Sequence, residues 1–148
     1  MKEVMSIVDN LTGLMERDDF FEKVGNQEGT YAIVDLDNFK SFNDVYGRDV
    51  GDQVLQKTAE TLTANIDERH IICRLIHDRF LIFFKGLTSH EVEVLLDDIR
   101  VHFHGFYFPS VNKELRIIFS AGVGNNFEDT KEALEKAKSL GRNKIVSL

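Results

Sequence analysis

Two aspartates frame the chemistry that this sequence could perform. Asp35 ends the run Thr30–Leu36 (TYAIVDL), and Asp78 sits in a short connection between apolar runs at 70–75 and 80–85. If those runs are neighbouring strands, both carboxylates reach one point. Two such oxygen donors suit Mg²⁺, which takes one or two protein carboxylates together with substrate phosphates. The same acids would equally suit an ordinary strand end and an ordinary turn. Asp35 and Asp37 share one face at the carboxyl end of the buried run, and burying them unpaired would cost roughly several kcal/mol, so they belong at a strand exit, the mouth of a site. Lys40, and later Lys138 and Arg142, are the candidate anion contacts. Lys138 and Arg142 stand four apart at a helix end, where cations also complement the helix dipole.

The elements that must position these residues follow from periodicity. A lead-in helix is expected to end over 4–8, before the turn signal Thr12-Gly13. Phe20, Phe21 and Val24 share one side of a short helix stopped by Gly25. The run Thr30–Leu36 is apolar on both faces, as a strand buried inside a sheet would be. Phe39, Phe42, Val45 and Tyr46 recur at helical spacing, closed by Gly47. A longer helix opens at Asp49, with Val50, Val54, Leu55, Leu62 and Ile66 as its apolar stripe. Two strands over 70–75 and 80–85 form a hairpin with His77-Asp78 at its turn. Thr88 and Glu91 resemble a capping box for a helix running to Phe103. Strands are expected over 106–108, 115–123 and 144–148, with a helix capped by Asp129 and Glu132 before the last. This order predicts an α/β (α+β) fold: one central sheet of about five strands, flanked by helices.

Composition limits what such a fold can do. The chain has 148 residues, 43% hydrophobic and 29% charged, which fits one folded domain rather than a disordered segment. No apolar run approaches the ~18 residues of a membrane span, and the N-terminus lacks a signal-peptide apolar region. A cytoplasmic location is therefore expected. The single cysteine, Cys73, excludes an intrachain disulfide and reads as core between Ile71 and Leu75. Eighteen basic against 25 acidic residues give a net charge of −7, which argues against a nucleic-acid partner. His102 and His104 are two apart near a helix end and do not share a helix face, so they make a poor metal pair.

Taken as a set, the residues resemble a known family. Asp9-Asn10-Leu11-Thr12-Gly13-Leu14 resembles the D-x-L-T-G-L signature that opens the GGDEF family of diguanylate cyclases. Asp35-Leu36-Asp37-Asn38-Phe39-Lys40, followed by Phe42-Asn43-Asp44, is similar to its D-x-D-x-F-K-x-x-N-D block, which Gly47, Gly51 and Asp52 continue. Ser120-Ala121-Gly122-Val123 resembles its S-x-G-V strand, and Lys138 with Gly141-Arg142-Asn143-Lys144 its closing K-x-x-G-R-N. The resemblance runs from about Asp9 to Ile145 and implies a single nucleotidyl-cyclase-like domain over 1–148, with 1–8 as a lead-in helix or linker remnant. It also implies the partner and cofactor, GTP with Mg²⁺. Asp35, the carbonyl of Leu36 and Asp78 match metal ligands. Lys40, Lys138 and Arg142 match phosphate contacts, and Asn43 and Asp52 match the side chains that read guanine. The base chemistry agrees, because a carboxylate can accept from guanine N1–H and N2–H₂, where adenine offers an acceptor at N1.

The signature loop departs from the family. R-x-G-G-D-E-F stands here as Arg74-Leu75-Ile76-His77-Asp78-Arg79-Phe80. Both glycines, which let a second GTP approach the backbone, are Ile76 and His77. The glutamate is Arg79, reversing a charge beside the metal position. The product-binding R-x-x-D is absent as well, since Asp67-Glu68-Arg69-His70 occupy that offset. The expected function is a catalytically degenerate GGDEF domain that binds GTP as a regulatory or interaction module in bacterial cyclic di-GMP signalling, alongside a second GGDEF-like domain or a signalling protein. The alternatives are an active cyclase tolerating the variant loop, and a structural remnant that binds nothing. Family members usually carry a sensor or coiled-coil segment ahead of the Asp9 motif.

Overall fold

The computed structural model describes residues 8–103 and 105–148. The expected lead-in helix lies outside them except for Val8, as does His104 of the H-x-H pair. Strand β1 (Met15–Glu16) is followed by α1 (Arg17–Val24), β2 (Thr30–Leu36), α2 (Phe39–Tyr46) and α3 (Arg48–Asn65). Then come the hairpin β3 (Ile71–Ile76) and β4 (Arg79–Phe84), α4 (Ser89–His102), β5 (Phe106–Phe108) and β6 (Lys113–Leu115). The described chain ends with β7 (Phe119–Gly124), α5 (Phe127–Ser139) and β8 (Ile145–Ser147).

The central sheet has six strands in the order β1-β3-β4-β2-β7-β8, with β5 and β6 forming a separate pair. Four strands run antiparallel to their neighbours, and the two edges, β1 against β3 and β8 against β7, are parallel. The sixth strand is Met15–Glu16, two residues long, pairing with Cys73 and Arg74. A segment that short carries no alternation to read.

Strand β2 lies in the middle, and its alternating side chains feed two cores. Ala32, Val34 and Leu36 join Phe80, Ile82 and Phe84 under α3 and α4, with Val54, Leu62, Leu96 and Ile99. Ile33 joins Cys73, Leu81 and Phe83 on the opposite face, under Phe20 and Val24 of α1 and Leu134 of α5. Cys73 is fully buried, and burial pushes its thiol up to about 12. Gly122 of β7 lets α5 lie close to the sheet, since a Cβ there would overlap backbone atoms of Thr130 and Leu134.

Several boundaries differ from the sequence reading, three of them for an identifiable local reason. The stretch 115–123 divides, because 113–115 pairs with β5 whereas 119–124 enters the central sheet. Helix α5 starts at Phe127, since Asn126 accepts from the Asp129 N–H at 2.8 Å and takes the cap expected of Asp129. Helix α3 starts at Arg48, directly after Gly47, whose φ of 90° turns the chain out of α2. The Thr88–Glu91 capping box forms as the sequence predicts.

Candidate functional site

The antiparallel register sets Asp35 directly opposite Arg79 on β4 and Ser120 on β7. Residues opposite one another in such a ladder share a face. The face of Asp35 is the one that α5 covers, and Lys138 descends from that helix. Lys138 Nζ lies 2.9 Å and Arg79 Nε 3.2 Å from Asp35 Oδ2. Only 5% of the Asp35 side chain is exposed, so this carboxylate is nearly enclosed and held by two cations. Arg79 also reaches Glu135 on α5, Nη2 to Oε1 3.5 Å.

Asp78 adjoins Asp35, as the sequence predicts for neighbouring strands, and the Leu36 N–H donates to the Asp78 carbonyl at 3.2 Å. Burial raises the Asp78 carboxyl to about 6, and the Asp35 charge pushes the same way while Arg79 opposes both. Asp37 has structural partners. Its carboxylate accepts from Ser120 Oγ at 2.7 Å and from the Asn143 N–H at 2.9 Å, clamping the left-handed Asn143 ahead of β8.

Asp35, Leu36, Lys40, Asp78, Arg79, Lys138 and Arg142 all line one cavity of about 300 Å³ at the carboxyl end of β2. Asn43 and Asp52 do not line it. They lie on the adjoining pair α2 and α3, where Gly51 sits against the Asn43 side chain. Asn43 Oδ1 is buried against Gly51 without a hydrogen-bond partner among the described residues. Asp52 is half-buried on the next residue.

The variant loop divides its residues between two places. His77 turns the hairpin with φ 49°, and Leu75 is bulged out of the ladder. Ile76 and His77 are exposed and line a different cavity, of about 220 Å³, together with Asp9 and Arg74. Phe80 is core. Arg74 ties this hairpin to the amino-terminal turn: its Nε donates to the His77 carbonyl at 2.9 Å and its Nη1 to both Asp9 carboxylate oxygens at 3.1 Å. Burial raises the Asp9 carboxyl, but bonds from the Thr12 hydroxyl and amide and the Arg74 guanidinium outweigh it and hold it below its ordinary value. Upstream, His70 is buried where the family's product site has an aspartate, and its Nδ1 accepts from the Lys85 N–H at 2.9 Å.

The oxygen set of Asp35, Leu36 and Asp78 was expected to hold Mg²⁺. The residues present do not fit a resident dication. Asp35 already carries Lys138 and Arg79, and an incoming ion would meet the guanidinium in place of the family's glutamate. No cluster of three or more His, Cys, Asp or Glu suited to a metal occurs among the described residues. The sequence reading missed the convergence of Arg79 and Lys138 on Asp35. The signal lay in the hairpin register, which sets an arginine across from the aspartate.

The chain belongs to the GGDEF family: the model of the diguanylate cyclase GGDEF domain matches residues 6–144. It is 29% identical to response regulator PleD of Caulobacter vibrioides, over 96% of this chain and 36% of that protein. It thus spans about a third of the length of that relative. Among solved structures it is similar to the coiled coil and GGDEF domain of DgcB from Caulobacter crescentus in complex with c-di-GMP, with a TM-score of 0.87 and 25% identity, covering 95% of this chain and 85% of that one. It is also similar to the diguanylate cyclase SiaD of Pseudomonas aeruginosa in complex with its activator SiaC, with a TM-score of 0.85 and 26% identity, covering 97% and 62%.

Proposed function

We propose that this chain is one catalytically degenerate GGDEF domain that binds GTP and serves as a regulatory or interaction module in cyclic di-GMP signalling. The observation that carries the reading is the ion pair of Arg79 with Asp35, in the loop where the family keeps a glutamate. Lys40, Lys138 and Arg142 would contact the phosphates, and Asn43 and Asp52 the guanine edge. The unpartnered Asn43 Oδ1 supports a base site, because a guanine N–H donor would satisfy it once the amide turns away from Gly51. Asp35, Leu36 and Asp78 keep the family's metal positions, although two cations already sit on Asp35.

The comparisons favour a second reading, an active diguanylate cyclase, since the family and several relatives carry that name. Retention of Asp78 beside Asp35 agrees with it. Against it stand the loss of both loop glycines and the charge reversal at position 79. A protein partner fits either reading, as SiaD is held by an activator. No helix among the described residues is long and apolar enough to cross a membrane, and a cytoplasmic place is proposed on that basis. Calorimetric titration of GTP, followed by assay of the same sample for cyclic di-GMP, separates the readings. Binding without product supports the first, product supports the second, and absence of both removes each.

A further inference from the structure

The arginine in the cavity points to a role of its own. Resting on the nucleotide reading above, we propose that Arg79 supplies, from the chain itself, the positive charge that a divalent cation would supply beside a bound triphosphate, so that this domain binds GTP without a metal.

The placement is built into the sheet. Position 79 faces position 35 across the ladder, so the guanidinium stands beside the carboxylate that was expected to ligate the ion. The charge balance closes. A glutamate at position 79 and a dication together contribute one net positive charge, and a single arginine contributes the same. Lys138, 2.9 Å from Asp35, completes the compensation of a carboxylate that is only 5% exposed. A dication added to this pair would be repelled by both groups beside a carboxylate that is nearly buried, where screening is weaker than in open solvent.

The guanidinium is also placed to turn toward phosphate. Its Nε is engaged by Asp35, and its Nη2 leans on Glu135, a side chain that is 64% exposed and therefore weakly held. A guanidinium has five donors in a rigid fork, so it can keep Asp35 through Nε while its outer edge passes from Glu135 to phosphate oxygens. Lys40 and Arg142 line the same cavity and would share that load. An arginine that merely closed the pocket predicts the opposite of this arrangement: its removal would open the cavity and strengthen binding.

The test is calorimetric titration of GTP into the whole chain, in EDTA and in Mg²⁺, for the wild type and for Arg79→Gln, Arg79→Glu and Arg79→Lys. Thermal unfolding of each variant verifies the fold. The wild type should bind equally in the two buffers, within about threefold, and loss of the charge-assisted contacts in Arg79→Gln should weaken binding in EDTA roughly tenfold or more. Arg79→Lys should retain much of the EDTA affinity, and Arg79→Glu should bind only with Mg²⁺. Mn²⁺ alone, followed by electron paramagnetic resonance, should be bound by Arg79→Glu and not by the wild type. A wild type whose affinity rises roughly tenfold with Mg²⁺ overturns this inference alone and leaves the nucleotide reading standing. Equal or tighter EDTA binding by Arg79→Gln overturns it in favour of a closing arginine. Failure of the wild type to bind GTP in either buffer overturns the nucleotide reading and this inference together.

Discussion

Gly51→Ala tests the base site through the fold itself. Gly51 lies in the first turns of α3 with its N–H bonded to the Gly47 carbonyl, and a Cβ there would overlap Asn43 Oδ1. Two terms oppose each other. Replacing a helical glycine by alanine gains roughly 0.5–1 kcal/mol, whereas forcing an added methyl into a packed contact costs roughly 1–3 kcal/mol. The single variant should therefore lose about 1 kcal/mol net, a fall in Tm of roughly 2–4 °C for a chain of this size. Asn43→Ala removes both the obstacle and an unpartnered buried oxygen. In the Asn43→Ala/Gly51→Ala double variant the helix gain then appears alone, and stability should equal or exceed that of Asn43→Ala by roughly 0.5–1 kcal/mol. Urea unfolding of the four chains closes a double-mutant cycle with an expected coupling of about 2 kcal/mol. Additive behaviour, with Gly51→Ala costing the same whether or not Asn43 is present, would refute the claim that this glycine exists to seat that amide. Both single variants should also weaken GTP binding, since Gly51→Ala displaces the acceptor and Asn43→Ala removes it.

The remaining expectations concern ionisation, the hairpin tie and product binding. Because Asp78 is raised to about 6 in the fold, above its ordinary 3.8, the native state holds a proton that the unfolded chain releases between those values. Asp78 therefore lowers stability as pH rises through about 4 to 6, and Asp78→Asn should flatten urea midpoints measured across that window. Asp9 has the opposite sign: its carboxyl is held below the ordinary value, so its contribution is present above pH 3.8 and is lost as pH falls further. Arg74→Ala should cost roughly 1–3 kcal/mol by unfolding, since it removes charge-assisted bonds to Asp9 and the His77 carbonyl; a change below about 0.5 kcal/mol would show that the tie is dispensable. Cyclic di-GMP should not bind near Arg69, and micromolar binding abolished by Arg69→Ala would contradict that. In a chain dimerised by an added coiled coil, Ile76→Gly, His77→Gly and Arg79→Glu together should yield detectable cyclic di-GMP in Mg²⁺; failure, with GTP still bound, would place the defect beyond this loop.

Much of the scaffold was legible in the sequence because its signals are local. The buried run at β2, the helical stripes and the two-residue turn at His77-Asp78 each announce themselves by period or by turn chemistry, and together they imply that Asp35 and Asp78 meet. What was not legible depends on contacts that no period encodes. Met15–Glu16 is a strand only because β3 offers it an edge. The run 115–123 is mostly apolar, with Arg116 and Ser120 giving no break in the pattern, and only the β5 pairing shows where it divides. Asn126 takes the cap of α5 although Asp129 and Glu132 present the same local pattern. From sequence, Arg79 is a charge that disturbs a metal, whereas its cross-strand position makes it the partner of Asp35. That pairing requires the register of β2 against β4 and the descent of Lys138 from α5, which are tertiary facts.

Turnover by the unmodified chain bears most directly on the account. Productive cyclisation needs two GTP molecules aligned so that each 3′-hydroxyl meets the other's α-phosphate, and a displacement of ~1 Å already costs on the order of 10²-fold. The chain at high concentration, incubated with GTP and Mg²⁺ and assayed by mass spectrometry for cyclic di-GMP, with GTP binding measured on the same sample, should show bound nucleotide and no product. Steady synthesis of cyclic di-GMP would contradict the non-catalytic reading outright.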